Sequence, residues 1–195
     1  MKRAVYIHGL GGSGQGASAQ NIKKMLESVW PDEYGFSANT YNLLEPRQAF
    51  EEIQKNVENA DFIIASSLGA FYAVSLPVSS KILLLNPCLE PETAIPKILY
   101  PEQKKVFDEA RAVKEWGKIK ETWKLFDREE CAMRFGVFSN HDELFSFVDL
   151  YKTHFGTSSG RDNYCMISGT HEIAKDEKQL VKALSAFKEY GGPAE

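Results

Sequence analysis

The chain has 195 residues, 43% hydrophobic and 26% charged, with a net charge of −4, the make-up of an ordinary folded domain with room for a sizeable core. The acidic balance and the lack of a basic stripe argue against nucleic-acid binding, and no apolar run approaches the ~20 residues of a membrane span. Cys88, Cys131 and Cys165 are odd in number, widely spaced and without a CxxC pair. Neither a disulfide framework nor a zinc site is expected, and a reducing cytoplasm fits.

Residues 4–8 read as a first strand. Lys2-Arg3 gives the chain a charged start, but the apolar stretch after it is too short for a signal peptide and breaks into His8-Gly9-Leu10-Gly11-Gly12. Gly9 to Gly14 satisfies GxGxxG, yet the acidic residue that would hold a ribose is missing from Ser37 to Asn42. Gly11 to Ser18 nearly meets the phosphate-loop pattern, but Ala17 stands at the essential lysine. Both nucleotide readings fail at the residue that carries their chemistry.

Ile22, Met25, Leu26 and Val29 then form a helical stripe, and residues 37–42 a second strand. Phe50, Ile53 and Val57 form another helical stripe, followed by a strand at 61–65. That strand runs directly into Ser66-Ser67-Leu68-Gly69 and a helix-forming segment. Strand, sharp turn and helix make a nucleophile elbow, which presents one serine hydroxyl above the sheet. Ala65 and Gly69, two before and two after Ser67, are small because strand and helix pass closely there, although Ala65 stands where glycine is commonest. Ser66 and Ser67 are also good helix caps, the competing explanation of the pair.

A strand at 81–85 ends in Asn86-Pro87. Residues 88–133 break the alternation: 19 of these 46 residues are charged, with no strand signal. Trp116, Ile119, Trp123 and Phe126 mark a helical stripe within them. The expectation is a helical lid inserted into a single domain spanning 1–195, with Trp116 and Trp123 at the substrate. The alternative is that the tryptophans pack the insertion onto the body. Strands at 135–139 and 163–167 follow, then a helix marked by Leu180, Leu184 and Phe187. The alternation implies a three-layer α/β sandwich with a mostly parallel sheet, whose ligands bind at the carboxyl ends of the strands.

A serine nucleophile needs a base, and the base an acid. Of four histidines, His154 lies in an apolar helical segment, Leu144 to Phe155, and reads as structural. His171 follows the last strand through Ser168-Gly169-Thr170, where a loop can carry an imidazole onto the serine or merely cap a helix near Ile173. Asp142, in the loop Ser139 to Glu143 beyond a strand end, is the natural acid, with Glu143 and His141 as rivals. The order serine, acid, histidine is that of one large hydrolase class. The glycine loop offers the Leu10 N–H and the elbow the Leu68 N–H as an oxyanion hole.

Tyr6-Ile7-His8-Gly9, Ser66-Ser67-Leu68-Gly69, Asn86-Pro87, His141-Asp142-Glu143 and Gly169-Thr170-His171 fall in an order and spacing that resembles the α/β-hydrolase superfamily. More closely, the chain is similar to the small single-domain bacterial esterases of the YqiA type. The resemblance implies a Ser67–His171–Asp142 triad that hydrolyses small carboxylic esters or thioesters without metal or cofactor. The surplus of glycines between Gly9 and Gly16 leaves an acyl-group or phosphate contact open there, with His8, Gly9 and Gly11 as candidate substrate contacts. A catalytically silent binding module and an acyltransferase are the alternatives.

Overall fold

A computed structural model describes residues 2–31, 34–157 and 162–191. The ends of the expected 1–195 unit, residue 1 and residues 192–195, lie outside them. Among the described residues, β1 (Lys2–Ile7), β2 (Tyr34–Ala38), β3 (Phe62–Ser66), β4 (Lys81–Leu85), β5 (Arg134–Ser139) and β6 (Tyr164–Ile167) form one sheet. Its order is β2-β1-β3-β4-β5-β6, and every neighbouring pair is parallel.

Central parallel strands are covered on both faces, so they read as continuous apolar runs. Ala4-Val5-Tyr6-Ile7, Phe62-Ile63-Ile64-Ala65 and Ile82-Leu83-Leu84-Leu85 are such runs, all buried. Their alternate residues feed two cores. Ala4, Tyr6, Phe62, Ile64, Leu83 and Leu85 face α1 (Ala17–Val29) and the last helix, whose Phe187 stacks on Phe62 at 5.1 Å between centroids. Val5, Ile7, Ile63, Ala65, Ile82 and Leu84 face α2 (Pro46–Val57) and α3 (Ser67–Val74).

Helix α3 is buried from Leu68 through Val74, so it needs cover on the side away from the sheet. The segment between β4 and β5 supplies it: α4 (Pro91–Ile98), α5 (Pro101–Val106), α6 (Glu109–Lys120), a 3₁₀ turn at Glu121–Leu125 and α7 (Arg128–Ala132). Trp116 Nε1 donates to the Tyr72 hydroxyl at 3.0 Å, and Trp123 Nε1 to Ser75 Oγ at 2.7 Å. Both tryptophans are therefore core residues holding this segment to α3. Arg134, fully buried in β5, closes the C-terminal end of α3 by donating to the carbonyls of Val74 (2.9 Å) and Leu76 (2.7 Å).

Two elements depart from the sequence reading by more than two residues at a boundary. The second strand is Tyr34–Ala38 rather than 37–42, because the residues beyond Ala38 bond outside the sheet: Thr40 Oγ accepts the Gly14 N–H and the Tyr41 N–H goes to His8. The helix expected over Leu144–Phe155 is only α8 (Val148–Phe155), since Asp142 Oδ1 accepts the N–H groups of Leu144 and Phe145 and holds them in a turn. Beyond β6, a 3₁₀ turn at Ile173–Lys175 leads into α9 (Glu177–Tyr190). Among the described residues no helix is long and apolar enough to cross a membrane.

Candidate active site

From β1 the chain runs outward to β2 and then returns to place β3 on the other side of β1. The crevice at the carboxyl ends of β1 and β3 is the expected ligand site of such a sheet. The loop from His8 to Gly12 enters it from β1 and Ser67 from β3, and a cleft of about 410 Å³ opens there.

Ser67 opens α3 with φ 51°, a left-handed backbone uncommon outside glycine. Close packing imposes this turn. A Cβ on Gly69 would overlap the carbonyl oxygen of His8, and one on Gly9 would stand 3.1 Å from Ser67 Cβ. Ala65, paired with Ile7 and Leu84 in the sheet and fully buried, stands at the position where glycine is usual. The capping explanation of the two serines does not hold: Ser66, the N-cap, makes no side-chain capping bond, and its Oγ accepts from the Tyr6 hydroxyl at 3.1 Å.

Ser67 Oγ instead lies 2.9 Å from His171 Nε2, and His171 Nδ1 lies 2.8 Å from Asp142 Oδ2. With Asp142 ionised, Nδ1–H donates to the carboxylate and Nε2 is left to accept from the serine hydroxyl. Both partners are nearly dry, with side-chain exposures of 9% for His171 and 3% for Asp142. Phe145 meets the imidazole edge-on at 4.8 Å, walling it from water. The rivals for the acid are elsewhere: Glu143 Oε2 accepts the His171 backbone N–H at 3.0 Å, and exposed His141 contributes only its backbone N–H, to Gly169 O. His171 caps no helix; Asp176 is the N-cap of α9.

The remaining candidates divide. Leu68 lies in the first turn of α3, where its N–H has no intrahelical carbonyl to meet. Leu10, Gly9 and Gly11 border the cleft in a turn closed by Gly12 N–H to Gly9 O at 3.0 Å. His8 also borders it, but its ring is fully engaged within the protein: Nδ1–H donates to Gly9 O at 2.8 Å, and Nε2 accepts the Tyr41 N–H at 3.0 Å. Burial lowers its pKa, so the ring is neutral and braces the loop rather than reaching a substrate. Trp116 and Trp123 do not reach the cleft. Their place is taken by Ile98, Tyr100 and Gln103, at the end of α4 and on α5, with Leu144 opposite. His154 is structural, packed edge-on against Trp123 at 5.3 Å.

Sequence reasoning assigned no role to Asn86, Tyr6 or Phe145. Asn86 carries a signal, an Asn-Pro pair at a strand end, and proves to have φ 43° and 2% exposure. Tyr6 reads only as a strand apolar, and Phe145 as part of a helix.

Residues 3–153 match the uncharacterised protein family UPF0227. No curated protein matches significantly. Among solved structures, the esterase domain of a Rhodothermus marinus protein superposes with a TM-score of 0.61 at 13% identity, over 99% of this chain and 88% of that one. The ydeN gene product of B. subtilis gives 0.60 at 15% identity, over 97% and 100%. Mouse alpha/beta hydrolase domain-containing protein 10 gives 0.59 at 14%, over 96% and 89%. At such identities the likeness carries the fold, and the fold is that of the α/β hydrolases. With six parallel strands in that arrangement among its described residues and the match spanning most of its length, the chain belongs to the uncharacterised protein family UPF0227, the YqiA-type group that its motifs resemble.

Proposed function

We propose that the protein is a serine hydrolase that cleaves small carboxylic esters or thioesters through an acyl-enzyme on Ser67. The observation that carries this is the continuous chain of hydrogen bonds from Ser67 Oγ through His171 to Asp142, at 2.9 and 2.8 Å, with the serine held in a left-handed turn. These distances suit Ser67 as nucleophile, His171 as base and Asp142 as orienting acid, given an imidazole that carries its proton on Nδ1.

In this mechanism Ser67 Oγ attacks the substrate carbonyl carbon as its proton passes to His171 Nε2. The carbonyl π-electrons move to oxygen, and the resulting oxyanion lies against the N–H groups of Leu10 and Leu68 at the positive end of α3. The C–O or C–S bond then breaks, and the imidazolium returns its proton to the leaving alcohol or thiol. Water, deprotonated by the same imidazole, releases the acid by the reverse sequence. Asp142 stays ionised throughout, fixing the tautomer and stabilising the imidazolium. The reading takes 1–195 as one domain, with 88–133 inserted between β4 and β5 and only its Ile98–Gln103 part covering the cleft. Gly9 and Gly11 are the substrate contacts retained from the glycine loop, and no step calls for a metal or cofactor.

The test is intact-mass spectrometry after fluorophosphonate treatment of wild type and Ser67→Ala. One adduct on wild type and none on the variant is expected. A folded wild type that takes no adduct would reject the proposal in favour of a binding module. Competition between water and added alcohols in ester turnover separates hydrolysis from acyl transfer.

A further inference from the structure

We propose that Asn86 is a positioning residue for His171, and that the turn Asn86-Pro87-Cys88 is the strut that sets the separation of base and nucleophile. The inference rests on the reading of Ser67 and His171 as nucleophile and base.

The Asn86 side chain uses both ends of its amide. Nδ2 donates to the backbone carbonyls of His171 (2.9 Å) and Thr170 (3.1 Å) and to Ser139 Oγ (3.1 Å). Oδ1 accepts the Ser139 N–H at 2.7 Å, and the Asn86 backbone N–H reaches Val137 O at 2.8 Å. One side chain thus joins the end of β4, the end of β5 and the histidine loop. Two residues on, the Cys88 N–H donates to Ser67 O at 3.1 Å. A single short turn therefore holds the backbone of the nucleophile at one end and the backbone of the base at the other.

The other side chains that hold the histidine loop are less secluded. Glu143 accepts the His171 N–H and Asn140 the Gly169 N–H, and both are exposed; Gln179 accepts the Thr170 N–H and is 8% exposed. Asn86, at 2%, is the most deeply buried of the set. The residue type fits the task closely. At φ 43° the left-handed region favours glycine and asparagine. Aspartate would aim a carboxylate at two carbonyl oxygens, and an apolar side chain would leave those carbonyls and the Ser139 N–H unpaired. Glycine keeps the backbone and removes the amide.

The experiment is a double-mutant cycle. Asn86→Gly and Asn86→Asp are each made in wild type and in His171→Ala, with p-nitrophenyl acetate turnover, the fluorophosphonate labelling rate and the thermal midpoint measured for all. In the wild-type background each variant should lower kcat and labelling by about 10- to 100-fold, the scale of a small misplacement, with KM changed less than about twofold. In the His171→Ala background neither should cause a further loss. The aspartate variant has the size and shape of asparagine, so it reads the same quantity should the glycine variant fail to fold. Unchanged kcat in the folded variants, or a full additional loss on top of His171→Ala, overturns the proposal, because Asn86 would then act on something other than the histidine. Wild type that takes no fluorophosphonate would instead reject the serine-hydrolase reading itself.

Discussion

At Ser67 the backbone and the side chain are under separate constraints. The left-handed turn is imposed by packing, since Gly69 lies against the His8 carbonyl, whereas the hydroxyl is oriented by His171. His171→Ala should lower kcat by ~10⁴–10⁶ with the fold intact, and Asp142→Asn by up to ~10⁴ through the wrong tautomer; steady-state ester kinetics beside circular dichroism would check both. The tryptophans predict the opposite pattern. Trp116→Phe removes the donor to the Tyr72 hydroxyl in a dry core, so it should destabilise by about 2 kcal/mol in denaturant titration while leaving kcat/KM unchanged. Ser67, Asp142 and His171 were legible as candidates because each follows a strand end, although Ser66, His141 and Glu143 stood beside them as rivals. The tryptophans misled because a stripe at helical spacing fixes which residues share a face and not where that face turns. Asn86 was visible as a letter without a role, since its partners lie as far off as His171.

The β1–α1 loop, which carries the Leu10 N–H to the cleft, is held in place by its His8 brace. Nε2 accepts the Tyr41 N–H, so protonating this ring would set two donors against each other. Burial lowers the His8 pKa below the ordinary value near 6.5. As pH falls through that value the unfolded chain takes up the proton first, so stability should be flat above about pH 7 and decline below about 6.5, by up to about 1.4 kcal/mol per unit for this one group. Thermal midpoints from pH 7.5 to 5 test the slope. His8→Gln should flatten it, leaving the share from His154, whose pKa burial and the neighbouring Lys120 also lower. The same brace explains the misplaced second strand. Residues 39–42 have strand-like composition, but their groups serve Gly14 and His8, contacts that no local pattern announces.

Across the whole molecule, alternation of apolar runs with helical stripes was enough to read a mostly parallel sheet, because buried parallel strands leave that unbroken signature. It did not give the strand order, which depends on contacts between distant segments. That order has a bearing on failure as well as on catalysis. The proposed base, His171, is delivered by β6, four residues long at the sheet edge, with Met166 48% exposed, while the proposed nucleophile, Ser67, rides on the deeply buried β3 and α3. Edge elements with little buried surface open at lower free energy than the core. In a urea series, fluorophosphonate labelling should therefore disappear before the far-UV signal does, and coincident transitions would refute this. On the proposed reading of Ser67 and His171, a chain whose β6 has let go keeps most of its sheet yet holds a serine without its base, so it would be inert rather than loosely active: the placement of the histidine would make the chemistry switch off first when the protein begins to come apart.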